Sequence, residues 1–171
     1  MRNHPFRVVD VTYAQAVAEG CQVVQAKAIG EACRVTVKGG RARLVGYNET
    51  EKFAFPVDNT TLYCILIGSF FPAHRFPTEF VSVFDCTFVD NTDITNRSYR
   101  ERFAHVVKLV QELNHPKFKL VPNYPITKAA DLWNHLDPRL ANGLIYRRFE
   151  DPFDTPLRVS RKYPEQPGGL P

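Results

Sequence analysis

The sequence predicts an α+β fold in which antiparallel sheets are flanked by helices, and three observations carry that expectation. Long β-branched and aromatic runs, such as "TLYCILIGSFF" and "EFVSVFDCTF", read as buried strands. Two segments open on helix-capping patterns. Strands and helices do not alternate in the regular way that a parallel βαβ sheet requires.

Along the chain, "DVTYAQAVAEG" offers Asp10 or Thr12 as N-cap, Gln15 three residues after Thr12, and Gly20 as a stop, which spells a short helix. Val23 to Ala28 reads as a strand. Ala32 to Lys38 and Arg41 to Tyr47 alternate about Gly39 and Gly40, a two-residue turn that accepts positive φ, so they predict a hairpin. Thr61 to Phe71 and Glu79 to Phe88 predict two adjacent strands, separated by the turn-like "PAHRFP". Asn96 or Thr95 can cap the next segment. Ser98 with Glu101 forms a capping box, and Phe103, Val106, Val107, Val110 and Leu113 recur at helical spacing, giving the longest helix. "KFKLVPNYPI" predicts a strand ending at Pro122, "TKAADLWNHLD" a helix capped by Thr127, "NGLIYRRF" a strand and "PLRVSRKY" a further one. One domain over residues 1–163 is expected, with "PEQPGGLP" at 164–171 as a flexible tail.

Composition bounds the function classes. Lys and Arg total 22 against 18 Asp and Glu, a net charge of +4, which suits a phosphate-bearing partner but falls far short of a dedicated nucleic-acid binder. The four cysteines, Cys21, Cys33, Cys64 and Cys86, form no CxxC pair, and they read as reduced core residues. No apolar run approaches the roughly 20 residues that span a bilayer, and the N-terminus lacks a signal-peptide core, so an intracellular, non-secreted protein of cytoplasm or nucleus, with no membrane partner, is expected. Five scattered histidines without an HxxxH pair offer no metal site, and there is no P-loop.

The order of segments identifies a resemblance. A strand lysine followed by glycine, then "SVFDCTFVDNTDITNRSYRERF", "FKLVPNYPI" and "NGLIYRRFEDPF", resembles the mRNA capping guanylyltransferases and, more widely, the covalent nucleotidyltransferases that include DNA and RNA ligases. The resemblance covers nearly the whole chain. It implies the nucleotidyltransferase core without the OB-fold domain that capping enzymes use to close over the nucleotide.

In that family a lysine amine in a dry, positive pocket loses its proton and attacks the α-phosphorus of a nucleotide. Lys27 stands at this position. The family pattern of lysine, any residue, aspartate, glycine, any residue, arginine is met here by Lys27, Ala28, Ile29, Gly30, Glu31 and Ala32, so lysine and glycine persist while aspartate and arginine do not. The family's aspartate-glycine-glutamate strand corresponds to Ile67, Gly68 and Ser69, and the acidic residue of its "DGLIF" strand to Asn142. Phe84 corresponds to the aromatic that stacks on the base, and "SRKYPE" places Ser160 and Lys162 near the lysines that grip the phosphate.

The resemblance thus implies a degenerate member, a pseudoenzyme. Its nucleotide-binding residues would be Lys27, Gly30, Gly68, Phe84, Asn142 and Lys162. Lys27 has three open roles: nucleophile, inherited phosphate contact, or a lysine that snorkels at a strand end. Arg147, Arg148 and Arg161, in a basic and aromatic stretch, are expected to contact RNA. Arg97, Arg100 and Arg102 read as a solvated face that could also track phosphates.

The expected function is non-catalytic binding of a guanine nucleotide or capped RNA, or a scaffold in a larger capping or RNA-processing complex. Alternatives are an active guanylyltransferase that forms a covalent Lys27-GMP intermediate from GTP with Mg²⁺ or Mn²⁺, and a purely structural module. The active alternative needs carboxylates such as Glu31, Glu49, Asp85 or Asp151 to face the cleft. The structural module would have Ile29 and Ile67 fill the nucleotide site.

Overall fold

Two curled sheets stack against each other in a computed structural model that describes residues 6–44, 50–52, 58–67, 80–116 and 118–161. Twelve strands are described: β1 (Val8–Asp10), β2 (Val23–Ala28), β3 (Glu31–Lys38), β4 (Arg41–Leu44), β5 (Thr50–Lys52), β6 (Thr60–Ile67), β7 (Phe80–Val89), β8 (Thr92–Asp93), β9 (Phe118–Leu120), β10 (Tyr124–Pro125), β11 (Ala141–Arg147) and β12 (Leu157–Ser160). The helices are α1 (Tyr13–Ala18), α2 (Tyr99–Leu113) and α3 (Ala129–Asn134). The first sheet has the order β1-β12-β11-β2-β10, and the second runs β5-β4-β3-β6-β7-β8 with β9 also against β7. All pairings are antiparallel except β1 with β12 and β7 with β9. The α+β expectation holds.

Local chemistry sets the helix ends. Thr12, not Asp10, caps α1 through a reciprocal capping box with Gln15, and Asp10 closes β1 instead. Ser98 and Glu101 do the same for α2, which stops at Asn114 in a left-handed conformation. Thr127 does not act as a cap: it lies inside a 3₁₀ turn, Ile126–Lys128, that leads into α3.

Alternation along the strands sorts the core into three packed groups. Val83 and Cys86 of β7, with Val35 and Leu62, pack on Val106 and Leu109 of α2. Phe6, Tyr63, Phe84, Val121, Leu157 and Val159 fill the space between the sheets. Val24, Leu144 and Tyr146 lie on the opposite face of the first sheet, under Ala16 of α1 and Ala129 of α3. The layers are therefore helices, first sheet, second sheet and α2. Burial at these contacts, worth about 25 cal/mol per Å² of apolar surface, holds the layers together.

Cys21, Cys33 and Cys86 are free and buried, as expected of small core residues. No helix among the described residues is long and apolar enough to cross a membrane. The tail at 164–171, together with Gly68 and Lys162, lies outside the described residues.

Candidate functional site

Strand β2 carries the site because its period of two sends neighbouring side chains to opposite faces. Val24 turns toward the helices, whereas Gln25 and Lys27 share the other face and line a cavity of about 170 Å³. Phe84 of β7, Val121, Ile145 of β11, and Leu157 and Val159 of β12 give its apolar walls, and Ala28 and Gly30 lie at its lip. Lys27, Gly30 and Phe84 thus line one cavity. Phe84 also packs in the core, its ring 5.2 Å from that of Phe6, so it is at once a wall and a packing residue.

Lys27 donates from Nζ to Asn142 Oδ1 at 3.1 Å, which joins two of the expected site residues across β2 and β11. Partial burial holds its pKa below the ordinary lysine value, and the nearby Arg161 guanidinium lowers it further. The amine is therefore easier to deprotonate than a surface lysine. Arg161 is exposed and lies 3.6 Å from Asp10.

Behind the cavity, Gln25 is 1% exposed and hydrogen-bonded. Its Nε2 donates to Tyr99 Oη at 3.0 Å and to Asn123 Oδ1 at 2.7 Å, while Tyr99 donates its own proton to Asn123 Oδ1 at 2.9 Å. Burial pushes the Tyr99 phenol up to about 12, so it keeps that proton across neutral pH. Gln25 is not among the residues expected from the sequence. A signal for it was present: a polar residue two before Lys27 in a strand shares its face.

Two expectations are corrected by a buried ionic cluster, which also takes away one carboxylate that the active alternative needs. Asp85 is fully buried and receives Arg102 through Nε at 2.8 Å and Nη2 at 3.1 Å, together with Arg147 Nη2 at 2.6 Å. Arg147 is therefore not offered to RNA. Its guanidinium lies 3.6 Å from the Tyr99 ring centre, and its Nη1 has no hydrogen-bond partner among the described residues. Arg102, expected on a solvated face, is also fully buried, and its Nη1 donates to the carbonyls of Arg97 and Asp151. Asp85 does not face the cleft. Of the other basic residues, Arg148 is half-exposed and bonds Asp151 at 2.8 Å, Arg97 pairs with Glu101, and Arg100 lies over the Phe149 ring at 4.3 Å.

The donors among the described residues do not fit a divalent cation. Asp151 is held by Arg148 and Arg158, Asp85 by its two arginines, and Asn142 Oδ1 by Lys27. Among the described residues no group of three His, Cys, Asp or Glu side chains could hold a metal. The Glu31 side chain and Glu49 lie outside the described residues. Ile29 does not plug the cavity: it is 38% exposed, with its backbone N–H on the Leu140 carbonyl, while the Ile67 side chain is not described.

Gly143 draws β11 and β12 together beside this site. A Cβ there would lie 2.6 Å from the Ser160 carbonyl oxygen, so only glycine permits the approach.

No family model matches the chain, and no curated protein matches it in sequence. Solved structures do match in fold. One described as "Pmar-Lig_PreS3" superposes with a TM-score of 0.63 at 10% identity, over 92% of this chain and 46% of that one. The ligase domain of LigD from M. tuberculosis gives 0.61 at 11% identity, over 95% and 61%. Chlorella virus DNA ligase-adenylate gives 0.53 at 12%, over 92% and 68%. This chain thus spans between about half and two-thirds of those chains. The α+β fold is similar to that of these ligase structures, and among the described residues there is no OB-fold domain.

Proposed function

We propose that this chain is a nucleotide-binding domain built on the ligase-like nucleotidyltransferase fold, and that it binds without transferring. Its ligand is a purine nucleotide or the capped end of an RNA. The observation that carries this reading is the company Lys27 keeps: a cavity with an aromatic wall at Phe84, a neutral amide at Asn142, and no carboxylate among the described lining residues. The base fits the apolar walls by area and stacking. Lys27, with Arg161 close by, offers positive charge to the phosphates.

Catalysis by a covalent nucleotidyltransferase needs more than an amine. Positioning and metal-held charge stabilisation supply most of the rate in phosphoryl transfer, and the described residues provide no acidic set for the metal. The expected roles of Gly30, Gly68 and Lys162 at the phosphates, of Arg148 and Arg161 at an RNA strand, and of a larger capping or RNA-processing complex belong to this same reading.

One observation favours a second reading, an active transferase with a covalent Lys27-nucleotide adduct. The depressed Lys27 pKa raises the fraction of free amine, as a nucleophile requires. Incubation with α-labelled GTP or ATP and Mg²⁺ or Mn²⁺, followed by a denaturing gel and mass spectrometry, separates the two. The binder gives no adduct and a measurable Kd in equilibrium dialysis that Lys27→Ala weakens. A labelled band that Lys27→Ala abolishes would establish the transferase instead.

A further inference from the structure

The register of the second sheet sets two of the four cysteines against each other. Cys33 of β3 and Cys64 of β6 are direct partners in a run of pairs from Glu31 with Leu66 to Val37 with Thr60 that contains no bulge. Cys86 of β7 stands opposite Leu62, so it lies diagonal to Cys64, about 7–8 Å away, and two strands from Cys33, about 9–10 Å away, and neither gap can be bridged. Cys21 packs under α1 in the first sheet. The turn between β3 and β4 then fixes the phase of the hydrogen bonds: Gly39 and Gly40, at φ 59° and 70°, make a two-residue turn that Lys38 and Arg41 flank as a hydrogen-bonded pair. Backbone polar groups alternate sides along a strand, so the even-numbered residues of β3 bond β4 and the odd-numbered ones bond β6. Cys33 and Cys64 are therefore a hydrogen-bonded pair, with Cα atoms about 5.5 Å apart. Disulfides span Cα separations of about 4.4–6.8 Å.

We infer that Cys33 and Cys64 are a modification site: a cross-strand pair that small-molecule disulfides oxidise to a reversible bridge between β3 and β6. One thiolate of the pair attacks a sulfur of glutathione disulfide and expels a glutathione thiolate; the second thiolate attacks the mixed disulfide at the protein sulfur and expels the other. The two cysteines are oxidised, the glutathione disulfide is reduced to two thiols, and those take up the two protons that the cysteines lose. Cys33 is 7% exposed, so the first attack waits for β3 to open locally from its neighbour. The bond is strained once made. Opposite Cβ atoms of a hydrogen-bonded pair sit about 5.5 Å apart, whereas a disulfide holds them at about 3.8 Å, so the strands must pinch together and the bond is easily reduced. β3 begins directly after Gly30, so the bridge also ties the lip of the cavity to the middle of the second sheet.

The sequence makes the pairing easy to read by mass. Trypsin cuts after Arg7, Lys27, Arg34, Lys52, Arg75 and Arg97, which places Cys21 in the peptide 8–27, Cys33 in 28–34, Cys64 in 53–75 and Cys86 in 76–97. The full chain, reduced and folded by circular dichroism, is incubated with glutathione disulfide, quenched with an alkylating agent in denaturant, digested and mapped. The expected product is the linked pair 28–34 with 53–75, lighter by two hydrogens than the free peptides, with Cys21 and Cys86 alkylated. Excess reduced glutathione should return both peptides to the alkylated form. Oxidation in urea, where the register is gone, should give a mixture of pairings. Cys33→Ala and Cys64→Ala should each abolish the linked pair and leave the remaining partner alkylated.

Full alkylation of Cys33 and Cys64 after exposure of the folded chain to glutathione disulfide would overturn the inference, as would a folded-state map as mixed as the one from urea. A linked pair that involves Cys21 or Cys86 in the folded chain would overturn it too. A bridge that forms but resists reduced glutathione would overturn its reversibility. None of these outcomes bears on nucleotide binding, so the bridge and the proposed function stand or fall separately.

Discussion

Replacing Asp85 with asparagine tests the buried ionic cluster most sharply. The carboxylate accepts three guanidinium N–H bonds between 2.6 and 3.1 Å, and neither it nor Arg102 has any exposed surface. Among the described residues it is the one carboxylate that both guanidinium groups share. Asp85→Asn keeps the shape but removes the charge, and one of its amide faces becomes a donor pointed at donors. Breaking a buried pair by removing one partner costs about 3–5 kcal/mol, and here two arginines lose the same partner, so the upper end applies. Domains have about 5–15 kcal/mol in total, and about 2–4 °C is lost per kcal/mol at this size, so the melting temperature should fall by about 8–20 °C. Urea and thermal denaturation followed by circular dichroism measure it. A control with Asp85→Leu, Arg102→Met and Arg147→Met together should recover much of the loss, because apolar replacement of a whole buried cluster is often near neutral. An Asp85→Asn variant within about 1 kcal/mol of wild type would refute the view that the cluster is closed to water.

The same geometry makes further predictions. Gly143→Ala drives a Cβ to 2.6 Å from the Ser160 carbonyl, so β11 and β12 must part at a cost of about 1–3 kcal/mol, visible as a lower urea midpoint. Because burial and Arg161 depress the Lys27 pKa, a bound phosphate restores the ammonium and takes up a proton. Nucleotide affinity should therefore be highest below the free-protein pKa of Lys27 and fall as pH rises through it, whereas Lys27→Met gives a flat profile in calorimetry between about pH 7 and 10. The same shift opposes folding while the amine is charged. Its contribution therefore improves as pH climbs from the depressed folded value toward the ordinary lysine value, which urea titrations of wild type against Lys27→Met resolve. Ser98→Ala removes the α2 cap and should cost about 1 kcal/mol in thermal melts, with the Tyr99 end of the helix the first to lose amide protection.

Local chemistry was legible in the sequence, and long-range pairing was not. The caps at Thr12 and Ser98 depend on residues three apart, and the hairpin of β3 and β4 on the Gly39-Gly40 turn, so each could be read directly. β1 has three exposed residues and no alternation, and it is a strand only because β12, nearly the whole chain away, lies beside it. β10 is likewise defined by its pairing with β2. Lys27 and Asn142 were found through motif order, and their contact at 3.1 Å joins residues 115 positions apart. Arg102 and Arg147 were misread because a run of arginines looks like a surface; the carboxylate that buries them is 17 and 62 residues away. Gln25 was passed over because its partners, Tyr99 and Asn123, belong to segments that the strand pattern of β2 does not reveal.

The strand order also sets a sequence of events during synthesis. The second sheet is drawn wholly from residues 31 to 120, whereas the first combines residues 8–28 with residues 124–160. A chain emerging from the ribosome can complete the second sheet and seat α2 on it while β2, with Lys27 already made, still lacks both its neighbours β10 and β11. Closing that gap links strands more than a hundred residues apart, a contact of high order that forms slowly. The amine would then meet its half-buried cavity only in the last step, so a nascent or locally opened chain carries an ordinary, protonated lysine, and the chemistry of the site is acquired together with the final strand.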